Sequence, residues 1–179
     1  MNTCKKMKTV LCTHKRHALP ILGILNEAIE NSTAIYDYKA RSPESMVGWF
    51  KDKEAGRFPV VGLESDEGEL LGFASFGPFR SWPAYKYTVE HSVYVHHAHR
   101  GHGLGLKLMH EILEMAKARG VHVLVGGIDA SNDASIALHT KLGFVHAGTI
   151  KQAGFKFGRW LDLAFYQLTL QTPLEPVDG

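Results

Sequence analysis

The stretch VYVHHAHRGHGLGLKLM, residues 93–109, joins an apolar run typical of a strand, a turn with three alternate glycines and the start of an apolar helical pattern. Peptide N–H groups at a helix N-terminus lack partners within the helix and carry partial positive charge, so they bind anions. Glycine lets a backbone approach a phosphate closely because it has no Cβ atom. The segment RGHGLG, residues 100–105, therefore predicts a phosphate-binding loop between a strand and a helix.

Two common phosphate loops do not fit this segment. A Walker A loop ends in Gly-Lys followed by Ser or Thr, whereas Gly105 is followed by Leu106 and Lys107. The dinucleotide fingerprint GxGxxG, started at Gly101, would need a glycine in place of Leu106. The pattern that remains is RxxGxG, which begins at Arg100.

The same segment is rich in histidine, which raises the alternative of a metal site. The four imidazoles belong to His96, His97, His99 and His102, with no cysteine or carboxylate interleaved among them. Zinc sites need three or four converging ligands, each oriented by further hydrogen bonds. We therefore expect the loop to bind phosphate, and we expect no metal.

Composition narrows the class of protein. The chain has 179 residues, of which 45% are hydrophobic and 21% charged, as in a single globular domain of ordinary size. A formal net charge of +2 is too small to indicate nucleic-acid binding. The longest apolar helical stretch, residues 19–29, is shorter than the ~20 residues that cross a bilayer, so no membrane association is expected.

The cellular location can be predicted from the N-terminal segment and the cysteines. The segment MNTCKKMKTVLC lacks the long apolar core of a secretory signal. Cys4 and Cys12 are too few for a disulfide framework and fit no zinc spacing, so we expect reduced thiols in or near a first strand. A cytoplasmic protein is the expectation that follows.

Hydrophobic periodicity predicts an alternation of helices and strands. Strands are expected at 8–12, 58–65, 69–77, 85–95, 121–128 and 160–170, and helices at 17–31, 42–56, 104–119 and 132–143. Ser42 is the expected N-cap of the second helix, with Pro43 at its first position. This order predicts an α/β domain with a mixed sheet, followed by a loose tail at 173–179.

Several motifs occur in the order that one family uses. Besides RxxGxG, they are ASFGPFR (74–80), TVEHSVYV (88–95), NDASIALHTKLGF (132–144) and GFKFGRWLDLAF (154–165). Together they resemble the GNAT superfamily of N-acetyltransferases, in particular its phosphinothricin and L-methionine sulfoximine or sulfone N-acetyltransferase branch. The resemblance is densest from Leu71 to Leu170. It implies a single GNAT-like domain over residues 1–172, with splayed central strands in a mixed sheet flanked by helices, and a homodimer.

The resemblance also implies acetyl-CoA as co-substrate and assigns residues to it. Backbone groups of Val93, Tyr94 and Val95 would pair with the pantetheine arm, Asn132 would bond to it, and Ser135 would lie close behind. The pyrophosphate would be cradled by Arg100, Gly101, His102, Gly103, Leu104, Gly105 and Leu106. The amino-acid substrate would be framed by Arg80, Ser81, Trp82, Glu90, His91 and Ser92.

The chemistry of amine acetylation points to particular residues. A free α-amino group is largely protonated near neutral pH and attacks a thioester only after losing that proton. Glu90 lies in an apolar strand, where desolvation would raise its pKa, so we expect it to accept the proton, directly or through water. His139, or alternatively Tyr94, would donate a proton to the leaving thiolate. Arg80 would bind the α-carboxylate of the substrate.

The sequence thus predicts an acetyl-CoA-dependent N-acetyltransferase that modifies the α-amino group of a small amino acid or analogue. Candidate substrates are L-methionine sulfoximine, L-methionine sulfone and phosphinothricin. Direct attack in a ternary complex is expected, because Cys4 and Cys12 lie far along the chain from the loop. Two alternatives remain: acetylation of another amine, such as a polyamine or a protein N-terminus, and a non-catalytic acyl-CoA-binding sensor.

Overall fold

A computed structural model describes residues 7–178, which form one seven-stranded sheet with four α-helices. Cys4 lies outside the described residues. The strands are β1 Met7–Leu11, β2 Val60–Ser65, β3 Leu70–Pro78, β4 Thr88–Val95, β5 Val123–Asp129, β6 Val145–Lys156 and β7 Arg159–Thr169. The helices are α1 His14–Asn31, α2 Ser45–Ala55, α3 Leu104–Ala118 and α4 Asp133–Lys141, and two short 3₁₀ helices span Pro83–Tyr85 and His97–His99.

The sheet is mixed and its centre is splayed, as predicted. The strand order is β1-β2-β3-β4-β5-β7-β6, and β4 with β5 forms the parallel pair. Their pairing covers only 88–90 on β4 and 123–125 on β5. Beyond these residues β4 continues to Val95 and β5 to Asp129 without pairing to each other. The gap between the two strands therefore exposes backbone hydrogen-bonding groups at the middle of the sheet.

Helices cover both faces of the sheet. On one face α1 and α2 pack against Phe73 and its neighbours, and on the other face α3 packs against a second apolar cluster. The predicted inner stripe of α3 is buried along its whole length: Leu108, Met109, Ile112, Leu113 and Ala116. Burying each large side chain of this stripe stabilises the fold by about 1.5–3 kcal/mol. The stripe thereby fixes α3 against one face of the sheet.

The starts of three elements differ by three residues from the sequence predictions. Helix α1 begins at His14 instead of residue 17. Helix α2 begins at Ser45 with Glu44 as its N-cap, because Ser42 and Pro43 form a preceding turn whose carbonyls accept i+3 bonds. Strand β4 begins at Thr88 instead of residue 85, because the 3₁₀ helix and a turn occupy the residues before it.

Strand β6 has no counterpart among the predicted strands. Most of its residues are exposed, and its pairing with β7 shifts register between His146 and Gly148 and again between Ile150 and Gly154. Gln152 within the second shift has a φ of +53°. These bulges break the period-two alternation by which a strand is recognised in a sequence.

The residues after β7 contain no further helix or strand up to Asp178. They still contact the domain, because the Tyr87 hydroxyl lies 3.0 Å from the backbone nitrogen of Val177, which donates to it. Among residues 7–178, no helix is both long and apolar enough to cross a membrane.

Candidate active site

A cavity of about 690 Å³ opens where β4 and β5 separate, a size typical of small-molecule sites. Most of the residues predicted for the site line it: Glu90, His91, Ser92, Val93, Tyr94, Val95, Arg100, Gly101, Gly103, Leu104, Gly105, Asn132, Ser135 and His139. Five predicted residues are outside this lining: Arg80, Ser81, Trp82, His102 and Leu106. Residues as far apart in the sequence as Glu90 and His139 thus meet in one cleft.

The glycines of the loop serve two different purposes. Gly101 and Gly103 have φ values of +80° and +76°, a left-handed conformation that strains other residues, and Gly103 is the N-cap of α3. A Cβ atom on either would meet nothing within 4 Å, so the space beside them is open. Gly105 is different, because a Cβ there would lie 3.3 Å from Leu138 of α4. The loop therefore combines an open concave backbone with close packing behind it.

Arg100 holds this loop in place. Its Nε donates to the carbonyl oxygen of Val95 at 3.2 Å, and its Nη2 forms an ion pair with Glu27 of α1. On the opposite side of the cleft Asn132 caps α4, and its Oδ1 accepts from the backbone nitrogen of Ser135 at 3.1 Å. The Nδ2 group of Asn132 remains as a donor at the cleft wall.

Glu90 lies half-buried at the point where the two strands part. Burial raises the pKa of its carboxyl above the ordinary value, and the charge of Arg80 acts in the opposite direction. Its Oε1 lies 3.2 Å from the place that a Cβ on Gly127 would occupy. A carboxyl with a raised pKa in a cleft is suited to proton transfer near neutral pH.

Arg80 is exposed on the loop after β3. Its Nη1 donates to the carbonyl oxygen of Phe79 at 2.7 Å, and its guanidinium stacks 4.2 Å from the Phe79 ring. This stacking leaves other N–H groups of the guanidinium available. The charge of Arg80 acts on Glu90, which lines the cleft.

His91 and His139 form a buried pair under the cleft. Nδ1 of His139 lies 2.7 Å from the carbonyl oxygen of Ser135 and must therefore carry a proton to donate. Burial lowers the pKa of His91 to about 3, with a further contribution from His139, while the backbone of Val125 opposes the shift. Burial also lowers the pKa of His139, against the effect of the Ser135 backbone. Both rings are therefore neutral near pH 7.

Tyr94 lines the cleft, and its hydroxyl stays protonated near neutral pH. Burial raises the pKa of this phenol to about 12; Arg41 lowers it, and Asp37 and Glu90 raise it further. The hydroxyl takes part in none of the hydrogen bonds found between residues 7 and 178. It is thus a free proton donor near Glu90.

Lys53 of α2 is a cleft residue that the sequence reasoning missed. Its Nζ donates to the carbonyl oxygen of Phe76 at 2.8 Å, and burial lowers its pKa to about 8. It belongs to none of the ion pairs in the described part of the chain. No local motif marks Lys53, because α2 reaches the cleft only through tertiary packing.

Gly126 and Gly127 on β5 were also missed, although the sequence carried a signal for them. A Cβ on Gly126 would lie 2.9 Å from Cε1 of His91 and 3.2 Å from Nε2 of His139. Glycine inside an apolar strand often marks a place where another group approaches the backbone closely. Here the two glycines make room for the histidine pair and for Glu90.

Comparison with known proteins places this geometry in a family. Residues 24–144 match the model of the Acetyltransferase (GNAT) family. The chain is 40% identical over 168 residues to an L-methionine sulfoximine/L-methionine sulfone acetyltransferase of Salmonella typhimurium, covering 94% of this chain and 98% of that one.

Two solved structures are similar over nearly the full length. A protein of Acinetobacter baylyi ADP1 is 61% identical with a TM-score of 0.98, and the match covers 100% of both chains. A GNAT superfamily phosphinothricin acetyltransferase of Sinorhizobium meliloti, solved in complex with acetyl-CoA, is 31% identical with a TM-score of 0.91, covering 97% of this chain and 94% of that one.

Proposed function

Because the chain belongs to the GNAT acetyltransferase family, we propose that it transfers the acetyl group of acetyl-CoA to the α-amino group of a small amino acid or analogue. The substrates we propose are L-methionine sulfoximine, L-methionine sulfone and phosphinothricin. The observation that carries the proposal is the position of Glu90, at the last paired position before β4 and β5 part and in the same cleft as the glycine loop. The names of the relatives support this substrate class.

The chain offers suitable groups along the full length of the co-substrate. The left-handed backbone at Gly101 and Gly103 and the first N–H groups of α3 would hold the pyrophosphate, with His102 and Leu106 flanking it. The peptide groups of residues 93–95 that face the gap would pair with the pantetheine arm, and Asn132 would donate to it.

Glu90 would take the proton of the substrate ammonium, directly or through water, so that the neutral amine attacks the thioester carbonyl. The new N–C bond forms as the C–S bond breaks, and the electron pair leaves on sulfur as a thiolate. Of the two candidate donors, Tyr94 has the free hydroxyl, whereas the N–H of His139 is bonded to the Ser135 carbonyl. We therefore assign Tyr94 as the general acid and His139 as a support of the cleft wall.

The substrate would lie between Glu90 and the loop after β3. Arg80 is the proposed partner of its α-carboxylate, with Ser81, Trp82, His91 and Ser92 around it. Lys53, a cleft cation without a carboxylate partner among the described ion pairs, favours a substrate that carries acidic or strongly polar oxygen atoms. The positive charges of Lys53 and Arg80 would repel a polyamine, which is itself positively charged.

Free-thiol release with acetyl-CoA, measured over a panel of amino acids, polyamines and peptides, tests the substrate class. We expect turnover with the two methionine derivatives or phosphinothricin, and turnover with polyamines or peptides alone would contradict the proposal. Glu90→Gln separates enzyme from sensor, because it should still bind acetyl-CoA while losing turnover by about 10²- to 10⁴-fold.

The remaining expectations belong to the same proposal. The proposed reaction needs no metal, nucleic acid or membrane, and the proposed location is the cytoplasm. A homodimer is supported by exposed apolar side chains on the β6–β7 hairpin: Val145, Ile150, Phe155, Phe157 and Trp160. Sedimentation analysis of the protein would test the dimer.

A further inference from the structure

A second group of polar side chains lies beside the glycine loop, away from the reacting groups. The ligand atoms of Glu69, His96 and His99 all lie within 4.8 Å of one another. We propose that these three residues, the Glu69–His96–His99 site, bind a divalent transition-metal ion, with Zn²⁺ as the probe. The proposed site takes no part in acetyl transfer, and metal binding there does not depend on the proposed function; only its expected effect on coenzyme A affinity rests on that function.

Strand register brings the first two ligands together. Gly72 pairs with Val95, so Glu69, just before β3, and His96, just after β4, emerge at the same end of the strand pair. The backbone nitrogen of His96 extends this pairing by donating to the carbonyl oxygen of Leu71 at 2.9 Å. Both ligands are therefore attached to a fixed part of the sheet.

The third ligand follows from the short 3₁₀ helix, His97–His99. Side chains three residues apart eclipse one another in a 3₁₀ helix, so His99 comes to the same side as His96. The sequence expectation of no metal counted ligands only along the histidine segment, which has no carboxylate. Glu69 supplies that carboxylate from the adjacent strand.

The spacing of Glu69 and His99 suits tetrahedral coordination. Zinc binds imidazole nitrogen and carboxylate oxygen at about 2.0–2.2 Å, which separates two ligand atoms by about 3.3 Å. Nε2 of His99 lies 3.2 Å from Oε1 of Glu69. Three protein ligands leave the fourth position to water.

The location predicts a consequence for the loop. His99 lines the cleft and directly precedes Arg100 and Gly101. A bound dication would add positive charge near the proposed pyrophosphate position and would tie this part of the chain to β3. We therefore expect Zn²⁺ to lower the Kd of coenzyme A by about fivefold.

Calorimetric titration of the full chain with ZnCl₂, without an added histidine tag, tests the site. We expect one tight ion per chain, with affinity reduced about tenfold or more in Glu69→Gln and His99→Asn. His97→Asn is the matched control, since His97 is exposed in the same segment and stacks on His96 but is not one of the three ligands. Equal losses in the control, or only millimolar binding throughout, would overturn the proposal.

Two further measurements keep the outcome interpretable. Thermal unfolding without metal establishes whether each variant is folded. If His99→Asn is not folded, Glu69→Gln alone tests the loss of zinc affinity. The coenzyme A titration is repeated with and without Zn²⁺, where the fivefold gain should be absent from Glu69→Gln. A Zn²⁺ ion that binds tightly without changing coenzyme A affinity would overturn the coupling to the loop.

Discussion

His91 donates from Nε2 to Nε2 of His139 across 2.8 Å, and this bond joins β4 to α4 beneath the cleft. The direction of the bond follows from the far side of His139, where Nδ1 uses its proton on Ser135. Each ring is consequently held in one tautomer and in the neutral form. The pair is a structural contact whose strength depends on pH.

Acid should weaken the fold through this pair. The pKa of His91 is lowered from 6.5 to about 3 and that of His139 is also lowered, so the unfolded chain binds more protons between about pH 6.5 and pH 3. Stability therefore falls as pH decreases through this window, by up to about 1.4 kcal/mol per pH unit for His91, and His139 contributes in the same direction. Urea unfolding at pH 7 and pH 5 measures the slope. His139→Asn should reduce it, whereas His110→Asn on the exposed face of α3 should not; equal slopes in both variants would contradict the assignment.

Gly126→Ala should be destabilising because the added methyl group would press on two buried rings. The closest approach, 2.9 Å to Cε1 of His91, forces the pair or the strand to shift. We expect a loss of about 1–3 kcal/mol in the free energy of unfolding. The control is Gly23→Ala in α1, where a Cβ meets nothing within 4 Å and helix propensity predicts a gain of up to about 1 kcal/mol. If Gly126→Ala leaves the free energy of unfolding unchanged, the two rings can repack around the added methyl group.

Arg80→Gln should move the pH dependence of turnover. Arg80 lowers the pKa of Glu90 against the effect of burial, so removing its charge lets that pKa rise. Because Glu90 acts as a base when deprotonated, the acid limb of kcat/KM should move to higher pH. Lys86→Gln, the same charge change at an exposed position on that loop, is the control. If the acid limb of kcat/KM does not move in Arg80→Gln, the ionisation that limits turnover at low pH is not that of Glu90.

Tyr94→Phe tests the assignment of the general acid. Removing the hydroxyl should lower kcat by about 100-fold with little change in acetyl-CoA affinity, because the backbone of residue 94 is unaltered. Tyr85→Phe, which removes a hydroxyl from the neighbouring loop, should leave kcat close to the wild-type value. If His139→Asn loses kcat while Tyr94→Phe keeps it, the roles of the two residues are reversed.

Gly103→Ala should weaken coenzyme A binding. The residue must keep a φ of +76° at the N-cap of α3, and its methyl group would enter the open space proposed for the pyrophosphate. We expect about tenfold weaker binding in calorimetry, together with about 1–2 kcal/mol of backbone strain. Gly68→Ala in the β2–β3 turn has the same strain at a φ of +85° and an open Cβ position, yet should bind coenzyme A normally. Equal weakening in both would point to a general loss of stability.

Features that depend only on neighbouring residues could be predicted from the sequence. The glycine loop, the buried stripe of α3 and the hairpin around Gly68 follow from backbone freedom and hydrophobic period, and the structure contains all three. Features that depend on distant partners were not predictable in this way. Lys53 reaches the cleft only through the packing of α2, Glu69 meets His96 only through strand register, and the bulges of β6 hide its period.

The parting of β4 from β5 gives this sheet two interior edges, a feature that most folds avoid because bare edges recruit other chains. Here the edges face each other across the cleft, and their free peptide groups suit a slender, amide-bearing molecule. A pantetheine arm in that cleft would complete the sheet as a peptide does when it adds to an edge. Hydrogen exchange at residues 91–95 and 126–129 should accordingly slow when coenzyme A is added. The ligand would then act as an additional strand that stabilises the sheet.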